Sequence, residues 1–154
     1  DIGVLAKISG LFSGKSYNLD SLTVGVTEDP TVSRMTISVT SDDITFEQIK
    51  KQLNRSVEVI KVIDLSDISI NMKEIMFIKV NKCTERDKEE VFRMERVFGL
   101  KVVDYDRNSI LIECVNTESK NNELVKLFSK AFLNRIEVVR GGSVAIESVT
   151  RTDR

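Results

Sequence analysis

Hydrophobic residues change period several times along the chain, and each change marks an element. Val4, Leu5, Ile8, Leu11 and Phe12 fall at i, i+1, i+4, i+7 and i+8, which predicts an amphipathic helix over 4–12. Leu22, Val24 and Val26 then alternate with polar or small residues, and Met35, Ile37 and Val39 alternate within 32–40. These predict two antiparallel strands about Thr27-Glu28-Asp29-Pro30-Thr31, a turn segment carrying the only proline. Phe46, Ile49 and Leu53 step at helical spacing behind the N-cap chemistry of Ser41-Asp42-Asp43, and residues 57–65 read as one more strand.

The second half adds a strand in front and otherwise repeats the order. Residues 75–80 read as a strand, and Val91, Met94, Val97 and Phe98 as a helical stripe. Residues 101–105 and 110–115 read as strands about a turn at Asp106-Arg107-Asn108. Leu124, Leu127, Phe128, Ala131 and Phe132 make the next helical stripe, and 136–140 a closing strand, after which Gly141-Gly142 breaks the chain before the apolar run 144–149. Strand, helix, strand, strand, helix, strand is the split βαβ, ferredoxin-like pattern.

The expected class is therefore α+β, two consecutive ferredoxin-like βαββαβ units over 1–66 and 74–151, joined by a short, partly apolar and packed linker. The first unit lacks the opening strand of the pattern, which predicts a strand ahead of Asp1 in the natural protein.

Composition narrows the function classes. With 23 basic and 24 acidic residues the net charge is −1, which offers no field for nucleic acid or an anionic membrane. No apolar run approaches the roughly 20 residues that span a bilayer. The chain has no histidine, which removes the commonest general base and metal ligand and every Ser-His or Cys-His arrangement. Cys83 and Cys114 have no CxxC spacing and read as two reduced thiols rather than a disulfide or a zinc site. The acids cluster in mixed-sign runs such as Glu85-Arg86-Asp87-Lys88-Glu89-Glu90, which suit an exposed helix start. No catalytic residue and no metal ligand is assigned.

Two stretches could hold an anion. GLFSGKS, ending at Ser16, has three residues between Gly10 and Gly14 where a phosphate loop needs four, and it follows a helix instead of opening one. It reads as a helix C-terminus. Arg140-Gly141-Gly142-Ser143 could present backbone N–H groups, although a Gly-Gly pair between strands is more often a turn. Asn18 opens the predicted second strand of the first unit, at the sheet end that also holds the loop at Gly3. A small zwitterion could rest its carboxylate on N–H groups near Gly3 and Val4 and its ammonium on the Asn18 carbonyl, though Asn after a helix is also a common turn residue.

Gly3-Val4-Leu5, Gly10-Leu11-Phe12-Ser13, Tyr17-Asn18-Leu19, Ser21-Leu22-Thr23-Val24 and Ser33-Arg34-Met35-Thr36-Ile37 together resemble the ACT domain of the regulatory subunit of acetolactate synthase. So do Glu47-Gln48-Ile49-Lys50-Lys51-Gln52-Leu53 and, nearby, Val59, Lys61 and Val62. Glu74-Ile75-Met76-Phe77-Ile78-Lys79-Val80, Val102-Val103-Asp104 and Ile136-Glu137-Val138-Val139-Arg140-Gly141-Gly142 are similar to that family's C-terminal domain.

The resemblance implies a noncatalytic subunit in branched-chain amino acid biosynthesis. It implies a partner that activates a catalytic large subunit, where thiamine diphosphate, Mg and FAD would reside, with no cofactor on this chain. It further implies a homodimer through ACT domains and feedback inhibition by valine, bound by Gly3, Val4 and Leu5 of one chain and Asn18 and Leu19 of the other. Lys15-Ser16 stands where the family commonly has Arg-Gly, and Ile2 where it has Ser or Pro. The location implied is cytoplasmic, or alternatively a plastid or mitochondrial matrix. An ACT-type sensor of another metabolic enzyme is the second reading, and it would lack the C-terminal blocks.

Overall fold

The structure, a computed structural model, describes residues 18–150. The helix predicted over 4–12, the loop at Gly3 and the GLFSGKS stretch lie outside the described residues. The chain divides into two units: the part up to Asn71 together with the part from Ile146, and Met72–Ala145.

In the first unit, β1 (Asn18–Val26) and β2 (Ser33–Thr40) pair antiparallel, with Leu22 opposite Ile37 and Val24 opposite Met35. The predicted turn joins them. The Asp29 carboxylate accepts from the Thr31 N–H at 3.0 Å and its hydroxyl at 2.8 Å, and the Thr27 N–H donates to the Val32 carbonyl at 3.0 Å. Helix α1 (Asp43–Arg55) starts at Asp42, whose carboxylate accepts from the Thr45 N–H at 2.6 Å and so satisfies a donor that the helix leaves open. Its Ile49 and Leu53 pack with Leu22, Met35, Ile37, Val39 and Val62.

The strand read from Leu22, Val24 and Val26 is present as β1, with Val24 and Val26 50% and 72% exposed. One expectation for this unit needs correction. Residues 57–65 form no strand. The last strand of a βαββαβ unit bonds to the first, and no such partner exists among the described residues. The apolar side chains that turn inward here, Val59, Val62 and Leu65, recur every third residue rather than every second, and Val57 is 97% exposed. The segment is tied back by Val62 and by Asp64, which meets the Lys50 ammonium at 3.0 Å.

The second unit is a complete ferredoxin-like fold. It comprises β3 (Ile70–Val80), α2 (Glu85–Phe98), β4 (Lys101–Tyr105), β5 (Ile110–Asn116), α3 (Glu118–Ala131) and β6 (Ile136–Glu147), in the sheet order β4-β5-β3-β6. The inward residues Met76, Ile78 and Val80 of β3 and Ile110, Ile112 and Cys114 of β5 meet Val91 and Met94 of α2 and Leu124 and Phe128 of α3. Thr84 and Asp87 close a reciprocal capping box at the start of α2, and Gly99, at φ +67°, ends it in the left-handed region that glycine adopts without strain.

Three boundaries differ from the sequence pattern. Strand β3 begins at Ile70, so part of the segment read as a linker is strand. Val97 is 73% exposed, and the buried stripe of α2 is Val91 and Met94, with Phe98 packed against the core. The Gly141-Gly142 pair does not break the chain, because β6 runs through it. Instead the strand changes phase. Ile136 and Val138 pack against the core before the pair, and Ser143 and Ala145 are the buried positions after it, so the burial pattern shifts by one residue, as a bulge would shift it, with Gly142 at φ +83°.

Candidate functional site

Asn18 and Leu19 open β1, opposite Thr40 and Val39 of β2. The ladder then slips at Asp20, so that Leu19 and Leu22, not Asp20 and Leu22, share the face of Val39 and Ile37. Asn18 is thereby left with Thr40 on the opposite face, exposed, while Leu19 is 38% exposed. Asp20 reaches across the ladder to the Thr40 hydroxyl at 2.6 Å. The strand start thus offers an amide with both donor and acceptor capacity, a neighbouring carboxylate and an accessible apolar side chain. Such a set suits the ammonium and side chain of a small amino acid.

Gly3, Val4 and Leu5 lie outside the described residues, so of the expected site residues only Asn18 and Leu19 are described. Asp20 was not singled out by sequence reasoning. Its signal was present, since a charged residue interrupts the alternation at the very place where the register slips.

The RGGS stretch has a different answer from either of its readings. The anion it receives is internal. Glu74, only 3% exposed, accepts at Oε1 from Arg140 Nη2 at 2.7 Å, Arg140 Nε at 3.1 Å and Asn121 Nδ2 at 3.0 Å, and at Oε2 from the Gly142 N–H at 3.1 Å. Burial opposes its charge, and the Arg140, Asn121 and Gly142 donors outweigh that, so its carboxyl titrates below the ordinary range.

The thiols are inert by environment. Burial, reinforced by the charge of Glu113, pushes Cys114 up to about 11, and burial likewise raises Cys83. Both are free. Among the described residues no group of three or more His, Cys, Asp or Glu converges as metal ligands, and no helix is long and apolar enough to cross a membrane.

Comparison with known proteins supplies the family. The family described as the small subunit of acetolactate synthase matches residues 73–149, and the one described as the AHAS small subunit-like ACT domain matches residues 1–61. The chain is 40% identical over 146 residues to the acetolactate synthase small subunit of Aquifex aeolicus, covering 95% of this chain and 75% of that protein. It is 35% identical over 144 residues to the Haemophilus influenzae acetolactate synthase small subunit, with 94% and 87% covered. The crystal structure of the acetolactate synthase small subunit from Thermotoga maritima is similar at a TM-score of 0.80 and 34% identity, over 97% of this chain and 92% of that one.

Proposed function

The chain belongs to the family of acetolactate synthase small subunits, and on that premise we propose that it raises the activity of a separate catalytic subunit and makes that activity sensitive to valine. The observation that carries this reading is the match of both halves in order, with the ACT domain first and the family's own C-terminal domain second. An amino-acid sensor for another enzyme would account for the first match alone. Thiamine diphosphate, Mg and FAD belong in this reading to the catalytic subunit.

Valine would sit between two ACT domains of a homodimer, with Gly3, Val4 and Leu5 of one chain holding its carboxylate end. Asn18 and Leu19 of the other would hold its ammonium and side chain. The exposure of Asn18 and Leu19 at one end of β1 supports that placement. A ligand that bridges two chains shifts their arrangement in proportion to its differential affinity for each arrangement, which is the coupling that feedback needs. The prokaryotic relatives support a cytoplasmic location over an organelle.

The test is acetolactate formation by the catalytic subunit from the same source, with and without this chain, titrated with valine. The reading expects activation that valine reverses. Activation without a valine response would keep the regulatory assignment and remove the effector; no activation would turn the reading to a sensor of another enzyme.

A further inference from the structure

The chain passes between its two units twice, between Asn71 and Met72 in β3 and between Ala145 and Ile146 in β6. Just inside the first passage stands Glu74, and just before the second stands the phase slip at Gly141-Gly142. The two are bonded to each other: the Glu74 carboxylate takes the Gly142 N–H with one oxygen and the Arg140 guanidinium with the other. Arg140 is itself aimed by Asn122 Oδ1 at 2.6 Å, and Ser143, fully buried after the slip, donates to Glu118 at 3.3 Å. Gly141 packs closely at its own position, since a Cβ there would stand 3.1 Å from Ile75 Cγ2 and 3.3 Å from its carbonyl oxygen, so that Ile75 would have to give by a few tenths of an ångström.

Glu74 is the one buried acid among the described residues. Apolar residues in its place could stabilise the unit as well or better, so stability is a poor account of it; the best-attested use of a buried polar pair is to specify register. Register matters here because side chains alternate with a period of two, so a shift of one residue exchanges the faces of a strand. In the shifted alignment Ser143 and Ala145 would turn outward, Val144 would turn inward, and everything downstream would move by about 3.3 Å. Downstream lies Ser148, whose N–H donates to the Ser69 carbonyl at 2.9 Å and whose hydroxyl meets Ser69 Oγ at 3.2 Å, both within the first unit.

We propose that Glu74, Arg140 and Gly142 form a register lock on β6, which holds the strand in the one alignment that lets Ser148 reach Ser69. Glu74 is thereby coupled, through β6, to the pairing of Ser148 with Ser69. The lock stands independently of the effector reading above.

The test is residue-resolved amide exchange by NMR on the full chain and on Glu74→Gln, which keeps the volume and an acceptor for Arg140 but sets an N–H group against the Gly142 N–H. The lock expects exchange at both Gly142 and Ser148 to rise about tenfold or more while Ile78 and Ile112, in the core, keep their protection. A rise at Gly142 alone would reduce the cluster to local packing and overturn the coupling. A uniform rise at Ser148, Ile78 and Ile112 would make it a matter of global stability and overturn the lock. If Glu74→Gln does not fold, the double variant Glu74→Met, Arg140→Met decides, since an apolar pair can restore stability without restoring register. Two sets of signals for 143–148 are then expected, and a single set with Ser148 still protected overturns the proposal.

Discussion

Asp87 closes the α2 capping box with one hand and holds Arg135 with the other: its Oδ2 accepts from the Thr84 N–H at 2.9 Å and from Arg135 Nη1 at 2.8 Å. Arg135 in turn donates to the Lys82 carbonyl at 3.0 Å and lies 5.5 Å from the centre of the Phe132 ring. One carboxylate therefore joins the start of α2 to the loop that leads into β6.

That pairing has an acid signature. The Arg135 and Thr84 donors hold the Asp87 carboxyl at about 2 in the folded chain, against about 3.9 for an unfolded aspartate. The folded state thus binds fewer protons through this group, so its contribution is complete above about pH 4 and is lost as pH falls through about 2. With part of the pair open to solvent, about 1 kcal/mol is expected. Asp87→Asn should lower the denaturation midpoint at pH 7 and flatten its fall between pH 4 and pH 2. A variant with the same acid slope as the parent would show that Asp87 is not its source.

Thiol chemistry gives a second expectation. With Cys114 at about 11 and 1% exposed, and Cys83 also buried and raised, neither presents a thiolate near neutral pH. Iodoacetamide at pH 8 should label both only as fast as the second unit opens, and at once in denaturant. Rapid labelling of Cys114 in the native chain would contradict its place between the sheet and the helices.

How far the sequence could be read depends on what each element needed. Strand β5 was legible because Ile110, Ile112 and Cys114 face one core and their neighbours do not, so a period of two is enough. The stripe of α3 was legible for the same reason, through Leu124, Phe128 and Phe132. Residues 57–65 misled because apolar alternation states only that a strand would suit the side chains, while a strand also needs a neighbour for its backbone. The Gly141-Gly142 pair misled in the opposite direction, since glycine marks both a turn and a bulge, and Glu74, far away in sequence, decides between them. Asn18 and Leu19, the residues proposed to meet the effector, stand at the start of β1, where the strand was read. The slip that sets their faces depends on pairing with β2, and the charge at Asp20 marks its place without giving its direction.

Core truncation should separate the second unit from the exposed surface. Phe128 is fully buried, its ring centre 5.9 Å from that of Phe132 in a tilted arrangement. Phe128→Ala should cost about 3–5 kcal/mol in urea unfolding. Val97→Ala, at a 73% exposed position of the stripe read for α2, should stay within about 0.5 kcal/mol of the parent. Comparable losses at the two positions would return Val97 to the core.

Asn18→Ala tests the effector reading with little risk to the fold. The side chain is exposed, and its pairing with Thr40 runs through the backbone, so the thermal midpoint should stay close to the parent's. Activation of the catalytic subunit should also persist, because the variant leaves both units intact. What should disappear is the response to valine, since the Asn18 carbonyl is the group assigned to the ammonium. Leu19→Ala, at 38% exposure and opposite Val39, should instead weaken valine binding by a smaller step of about 1 to 2 kcal/mol, the loss of apolar contact alone. Titration of activity against valine for the three chains checks the order. Full valine sensitivity in Asn18→Ala would move the ammonium to another partner and leave the strand start without its assigned role.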